Sequence, residues 1–184
     1  RTKNLADYAQ DKAFRTPEAV GIYLENGEHI RFGSIFKEAM ALATSLSNLG
    51  LKAGDVISFQ LPNWRETVAL DIAAVWLGLV VNPVIPIYRD HELAFILADS
   101  RCRCLFIPGV YRGYDFPEMI ERLSPELPDL QHVITVRDDA QREGAANTML
   151  RYENLIEPRN ELVPAKQPTD MSAVKVVMYT SGTT

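Results

Sequence analysis

Apolar residues along this chain change their spacing repeatedly, and each change predicts an element. Leu5 to Phe14 reads as an opening helix that Pro17 closes. Ala19–Leu24 and Glu28–Phe32 are strand-like runs either side of Asn26-Gly27, a dipeptide that favours a tight two-residue hairpin. Ser34 is a candidate N-cap for a helix whose positions Ile35, Ala39, Leu42, Leu46 and Leu49 form one apolar stripe, with Gly50 as its left-handed terminator. Gly54-Asp55 turns the chain into a strand, Val56 to Leu61. A second helix spans about Trp64 to Leu79, with Val68, Ile72, Val75, Trp76 and Leu79 as its core face; its high apolarity predicts burial on more than one side.

The alternation then continues. Strand Val80–Ile85, helix His91–Leu97 and strand Cys102–Ile107 are followed by a helix from Phe116 to about Leu127, capped by Asp115, and by strand His132–Val136. Strands and helices in this order imply βαβ units: an α/β fold in layers, with a mostly parallel sheet flanked by helices. Residues 1–136 are therefore expected to form one α/β subdomain. From 137 to 170 charges, Asn, Pro and Gly dominate, apart from an amphipathic patch near Met149 to Ile156, and an irregular connector is expected. Residues 171–184 then supply a final strand, Val174–Met178, and the polar run that follows it.

Composition narrows the function classes. At 184 residues there is room for one sizeable domain, or one and a part. A net charge of −5 argues against a nucleic-acid partner, which calls for a basic stripe. The longest apolar run, Ile72 to Val81, is too short to span a bilayer, so no transmembrane segment is expected. No basic and apolar leader is evident, which favours a cytoplasmic setting. Cys102 and Cys104, spaced i, i+2 on a predicted strand, would face the same side and form a strained bridge; two buried thiols in a reducing compartment is the simpler reading. His29, His91 and His132 have no ligand spacing, so no metal site is expected.

A complete catalytic set is missing. The glycines form no Gly-x-Gly fingerprint, no Gly-x-Ser-x-Gly elbow is present, and Gly182 is followed by Thr183 instead of the Lys of a Walker loop. Asp138-Asp139 reads as a solvated charge run. Arg101 and Arg103 read as snorkelling strand residues, and Arg89 as a cap or packing residue. No residue is assigned a catalytic role. What remains is Tyr179-Thr180-Ser181-Gly182-Thr183-Thr184, directly after a β-branched strand. Glycine allows a turn that points several N–H groups at one anion, and the hydroxyls add neutral donors and hard oxygen ligands for magnesium. The same composition also suits a disordered polar tail.

This hexapeptide resembles the phosphate-loop motif of the adenylate-forming (AMP-binding) enzymes: acyl- and aryl-CoA synthetases, peptide-synthetase adenylation domains and luciferases. Ile30-Arg31-Phe32-Gly33-Ser34-Ile35 is similar to a Leu-Thr-Tyr-x-Glu-Leu element of that superfamily, with Arg31 and Ser34 departing from its usual Thr and Glu. Leu77-Gly78-Leu79-Val80-Val81-Asn82-Pro83-Val84 and Glu92–Ser100 resemble its next strand and helix. The resemblance runs from Leu5 to Thr184 and implies the N-terminal subdomain of that fold, truncated within the motif. It further implies that Thr180, Ser181, Gly182, Thr183 and Thr184 bind the ATP β- and γ-phosphates. The implied activity is an acyl-CoA synthetase, using ATP, Mg2+ and coenzyme A on a small-molecule carboxylic acid. Asn82–Arg89 looks most like ligases of cyclic or aromatic acids, such as cyclohexanecarboxylate-CoA ligase. A peptide-synthetase adenylation domain and a non-catalytic α/β module that binds a partner remain as alternatives, and a homo-oligomer is compatible with either. The family's remaining functional residues lie beyond its phosphate loop, so the sequence looks like a piece of a longer enzyme, expected to be inactive alone.

Overall fold

The computed structural model describes residues 3–140, 149–157, 162–168, 170 and 172–180. The chain divides into two compact units. One comprises Arg1–Ala53, Asn63–Leu79 and Ile156–Ala173; the other comprises Gly54–Pro62, Val80–Leu155 and Val174–Thr184.

The first unit is built on helices α1 (Leu5–Arg15), α2 (Phe32–Asn48) and α3 (Glu66–Leu77), with the hairpin β1 (Val20–Tyr23) and β2 (His29–Arg31). Asn4 and Asp7 form a reciprocal capping box at the start of α1. The hairpin differs from the two-residue expectation. Leu24 N donates to Glu28 O across the three residues Glu25, Asn26 and Gly27, and Gly27 takes the left-handed conformation (φ 85°). Helix α2 begins at Phe32 with Arg31 as N-cap, so Ser34 lies inside its first turn instead of capping it. Its expected stripe is buried at Ile35, Ala39, Leu42 and Leu46. In α3 the buried apolar residues are Ala69, Leu70, Ile72, Ala73, Ala74, Trp76 and Leu77, whereas Val68 is exposed. Small alanines let α3 pack closely, and burial extends well beyond one stripe, as its apolarity predicted.

Trp76 meets Phe36 edge-on, with ring centroids 5.8 Å apart, and its Nε1 donates to Pro164 O at 2.8 Å. Gln167 N donates to Trp76 O, and Lys166 Nζ reaches Asp7 Oδ1 at 2.7 Å. The stretch 162–168 is thus irregular but tied to α1 and α3.

The second unit carries a five-stranded parallel sheet of β3 (Val56–Phe59), β4 (Val80–Pro83), β5 (Cys102–Pro108), β8 (His132–Val136) and β9 (Leu150–Arg151), in the order β4-β3-β5-β8-β9. A short hairpin, β6 (Val110–Tyr111) and β7 (Tyr114–Asp115), follows β5. Helices α4 (Asp90–Asp99) and α5 (Phe116–Leu123) connect β4 to β5 and β5 to β8. Leu93, Ile96 and Leu97 of α4 pack with Leu105 and Ile107 of β5 and with Phe116, Met119, Ile120 and Leu123 of α5. Cys104 and Phe106 alternate with that set and are fully buried too, as befits a central parallel strand. Asp115 caps α5 by accepting from Glu118 N at 3.0 Å. Within the stretch expected to be irregular, β9 pairs with β8 and Tyr152–Leu155 adds a helical turn, α6, that buries Tyr152 and Leu155.

The two cysteines do not share a face. Pairing of β3 with β5 slips between Val56–Cys102 and Ile57–Cys104, so Cys102 joins the Leu105 and Ile107 side. Burial pushes the Cys102 thiol up to about 11 and Cys104 well above its ordinary value, which leaves both as inert thiols. No helix among the described residues is long and apolar enough to cross a membrane.

Candidate functional site

In chain order the parallel strands read 2-1-3-4-5, a doubly wound arrangement whose ligands bind outside the carboxyl ends of the strands. The segment carrying the hydroxyl-rich motif docks on β4, the edge strand. Val81 N donates to Lys175 O and Val177 N donates to Val81 O, both at 2.9 Å, and Val176 pairs with Val81 in parallel. The pairing is an isolated bridge and not the regular strand expected over 174–178, but its parallel sense carries the chain towards the carboxyl end of the sheet.

Tyr179 and Thr180 are the first two motif residues. The Tyr179 ring packs against the core that holds Val84 and meets Phe95 edge-on at 6.1 Å. Its hydroxyl donates to Asp99 Oδ2 at 2.6 Å. Burial and the neighbouring Asp99 carboxylate push the phenol up to about 12, against an opposing hydrogen bond from Ser100. Thr180 is exposed. Ser181, Gly182, Thr183 and Thr184 lie outside the described residues.

The loop from β4 to α4 is fixed from below. Gln60, fully buried just past β3, donates from Nε2 to Tyr88 O at 2.9 Å and to Ile85 O at 3.2 Å. Arg89 donates to Pro86 O and Tyr88 O, and its guanidinium lies 4.0 Å from the Tyr114 ring centroid. The Glu92 side chain accepts from Arg89 N, and Asp90 pairs with Arg122. The hydrogen bond from Arg122 is the main cause that holds Asp90 below the usual carboxylate range. Arg89 is therefore a capping and packing residue, and the start of α4 is already supplied with anions.

Deeper in the sheet, Asn82 Nδ2 donates to Ser58 Oγ at 2.9 Å and reaches Ser100 Oγ at 3.4 Å. Arg103 makes a forked bond to both oxygens of Asp55 at 2.8 Å and another to Gln131, so it serves as a structural ion pair and not as a basic edge. Arg101 occupies a left-handed turn (φ 51°). Asp99 and Ser100 were not anticipated from the sequence as partners of the motif; they stand eighty residues from it, and no local pattern marks them. In the other unit an open cleft of about 590 Å³ is lined by Leu24, Ile30, His29, Glu38 and Arg65, where Arg65 pairs with Glu38 at 2.6 Å.

Comparison with known proteins places this geometry in a family. The sequence profile of the AMP-binding enzymes, described as "AMP-binding enzyme", matches residues 9–184. The chain is 28% identical over 180 residues to the medium-chain fatty-acid–CoA ligase of Escherichia coli K12, covering 98% of this chain and 31% of that protein. It is 30% identical over 132 residues to the vibriobactin-specific 2,3-dihydroxybenzoate-AMP ligase of Vibrio cholerae, covering 72% of this chain and 24% of the relative. The fold is shared with the crystal structure of the anthranilate CoA ligase AuaEII in complex with anthranoyl-AMP, at TM-score 0.84 and 21% identity, over 99% of this chain and 33% of that one. The chain thus spans about a third or less of the length of these proteins. With a match across nearly its whole length, the chain belongs to the AMP-binding enzyme family.

Proposed function

We propose that this chain is the amino-terminal part of an ATP-dependent acyl-CoA ligase, and that Thr180, Ser181, Gly182, Thr183 and Thr184 hold the β- and γ-phosphates of ATP. The observation that carries the reading is the segment leading into the motif, bridged in parallel to β4 through Val81 and running towards the carboxyl end of the sheet. In the first half-reaction a carboxylate oxygen of the acid attacks the α-phosphorus of ATP. The bond to the β-phosphate bridging oxygen breaks, and pyrophosphate leaves with that electron pair. In the second, the thiol of coenzyme A gives up its proton, its sulfur bonds to the acyl carbon, and AMP leaves with the electron pair of the acyl–oxygen bond that breaks.

The chain's own part is positioning: hydroxyl and backbone donors orient the leaving pyrophosphate and stabilise the charge that develops on it. Magnesium would supply further charge neutralisation on the same phosphates. The threonine and serine hydroxyls fit it as hard oxygen donors, although the described residues gather no cluster of three or more acidic, histidine or cysteine ligands. The named relatives act, by their names, on a medium-chain fatty acid and on 2,3-dihydroxybenzoate. That supports a free carboxylic acid as substrate, with a cyclic or aromatic acid suggested by Asn82–Arg89, over a peptide-synthetase domain or a non-catalytic module. Two buried thiols suit a reducing cytoplasm.

The test compares the half-reactions in the full-length protein. Thr183→Val and Thr184→Val should each cost about 1–3 kcal/mol of transition-state stabilisation in acid-dependent pyrophosphate exchange. Gly182→Ala should be at least as harmful, because a Cβ restricts the turn. Acyl transfer from presynthesised acyl-adenylate should change far less, since pyrophosphate has already gone. Equal losses in both half-reactions would refute the assignment.

A further inference from the structure

We infer that Tyr179 is a positioning residue for the nucleotide, its hydroxyl latched to Asp99 so that the segment bridged to β4 enters the phosphate loop in one register. This rests on the phosphate-loop reading and adds residues to it that belong to a different element, α4.

The segment 174–178 bonds to β4 through the two backbone groups of Val81, and its Val174, Val176 and Met178 are exposed. A segment bridged to a sheet edge with an exposed apolar face is prone to slip, and a slip of one residue would turn every following side chain to the opposite face. Tyr179 opposes that slip in three ways. Its ring joins the core that includes Val84, Leu93 and Leu97. It meets the edge of Phe95, itself largely exposed, so the two rings shield each other. Its phenol donates a short, charge-assisted bond to Asp99 at the end of α4.

The latch also has a rigid base. Ser100, the next residue, is the helix C-cap, donates to Leu97 O at 3.3 Å and lies 3.4 Å from Asn82 Nδ2. Asn82 in turn holds Ser58 inside the sheet. Tyr179 is therefore tied to a polar chain that starts between β3 and β4 and ends one residue before Thr180. A displacement of that point displaces Thr180, the next residue along the chain, and transfer to phosphorus is sensitive to small errors in position.

The experiment uses the full-length enzyme with Tyr179→Phe, Asp99→Ala, Asp99→Asn and the loop variant Gly182→Ala. Tyr179→Phe and Asp99→Ala are expected to raise KM for ATP in pyrophosphate exchange by about tenfold, with KM for the acid changed less than about twofold. Asp99→Asn keeps an acceptor oxygen and should recover most of that loss. Thioester formation from presynthesised acyl-adenylate should stay near wild type in these Tyr179 and Asp99 variants, and exchange of the Val177 amide should quicken in Tyr179→Phe. A wild-type KM for ATP in Tyr179→Phe alongside an impaired Gly182→Ala would overturn the latch and leave the phosphate loop standing. Unimpaired exchange in both would overturn the latch and the loop together. Equal loss in both half-reactions, or no recovery in Asp99→Asn, would also count against a positioning role.

Discussion

Ser58→Ala should destabilise the sheet out of proportion to the single atom it removes. Ser58 and Asn82 are both fully buried, on adjacent strands, and Asn82 Nδ2 donates to Ser58 Oγ at 2.9 Å. That amide nitrogen also reaches Ser100 Oγ at 3.4 Å, and among the described residues Asn82 Oδ1 has no partner. An amide that can make four hydrogen bonds is thus served mainly by one hydroxyl. Without it the buried N–H₂ is left nearly orphaned, at about 1–3 kcal/mol. For a chain of this size that corresponds to a fall in Tm of roughly 2–12 °C, at about 2–4 °C per kcal/mol. Because Asn82 already carries an unpaired acceptor, removing both polar groups should be milder than removing one. Ser58→Ala combined with Asn82→Val, apolar and suited to a strand, should regain most of the loss. Urea unfolding followed by circular dichroism measures the cycle, with an unchanged m-value as the sign that stability alone has moved. A loss below about 0.5 kcal/mol in Ser58→Ala, or strictly additive effects in the double variant, would refute this account.

Two further outcomes are expected. At Gly109 an added Cβ would lie 2.4 Å from Asp138 Oδ1 and 2.8 Å from Asp138 Cβ, and Asp138 is itself buried, so Gly109→Ala should cost about 1–3 kcal/mol and be relieved in an Asp138→Gly background. The Tyr179 phenol, held up to about 12 in the folded protein against 10.0 for an ordinary tyrosine, keeps its proton more tightly when folded; its contribution is complete below about pH 10 and is lost as pH rises towards 12. Titration of the ultraviolet tyrosinate band should therefore lose a component near pH 12 in Tyr179→Phe, and an unchanged curve there would contradict it.

Much of the architecture was written locally. Helix α2 follows from a stripe repeating within each turn and from Gly50, which supplies the left-handed residue just past its end at φ 85°. The alternation of β-rich runs with helices sufficed for an α/β fold with a parallel sheet, since only helical crossovers of that length return a strand in the same direction. The motif at 179–184 was legible for the same reason: backbone turns and hydroxyl donors are properties of adjacent residues. The family resemblance then supplied the function proposed for it.

Other features depended on pairing between distant segments, which no local period encodes. Nothing in the run Cys102–Ile107 signals the slip that separates the two thiols, because a bulge is set by how β3 meets β5. Val68 obeys the stripe of α3 yet is exposed, since what covers a helix face is a tertiary matter. The short β9 lies in the amphipathic patch near Met149 to Ile156, but its pairing with the edge of β8 is a tertiary contact that two residues do not signal. Sequence alone determined the main helices and the central parallel strands, and it singled out 180–184 as the candidate run for holding phosphate. Only the tertiary structure decided the strand order, the division into two units and the partner of Tyr179, because those contacts join residues as far apart as Asp7 and Lys166 and depend on how the chain returns to itself.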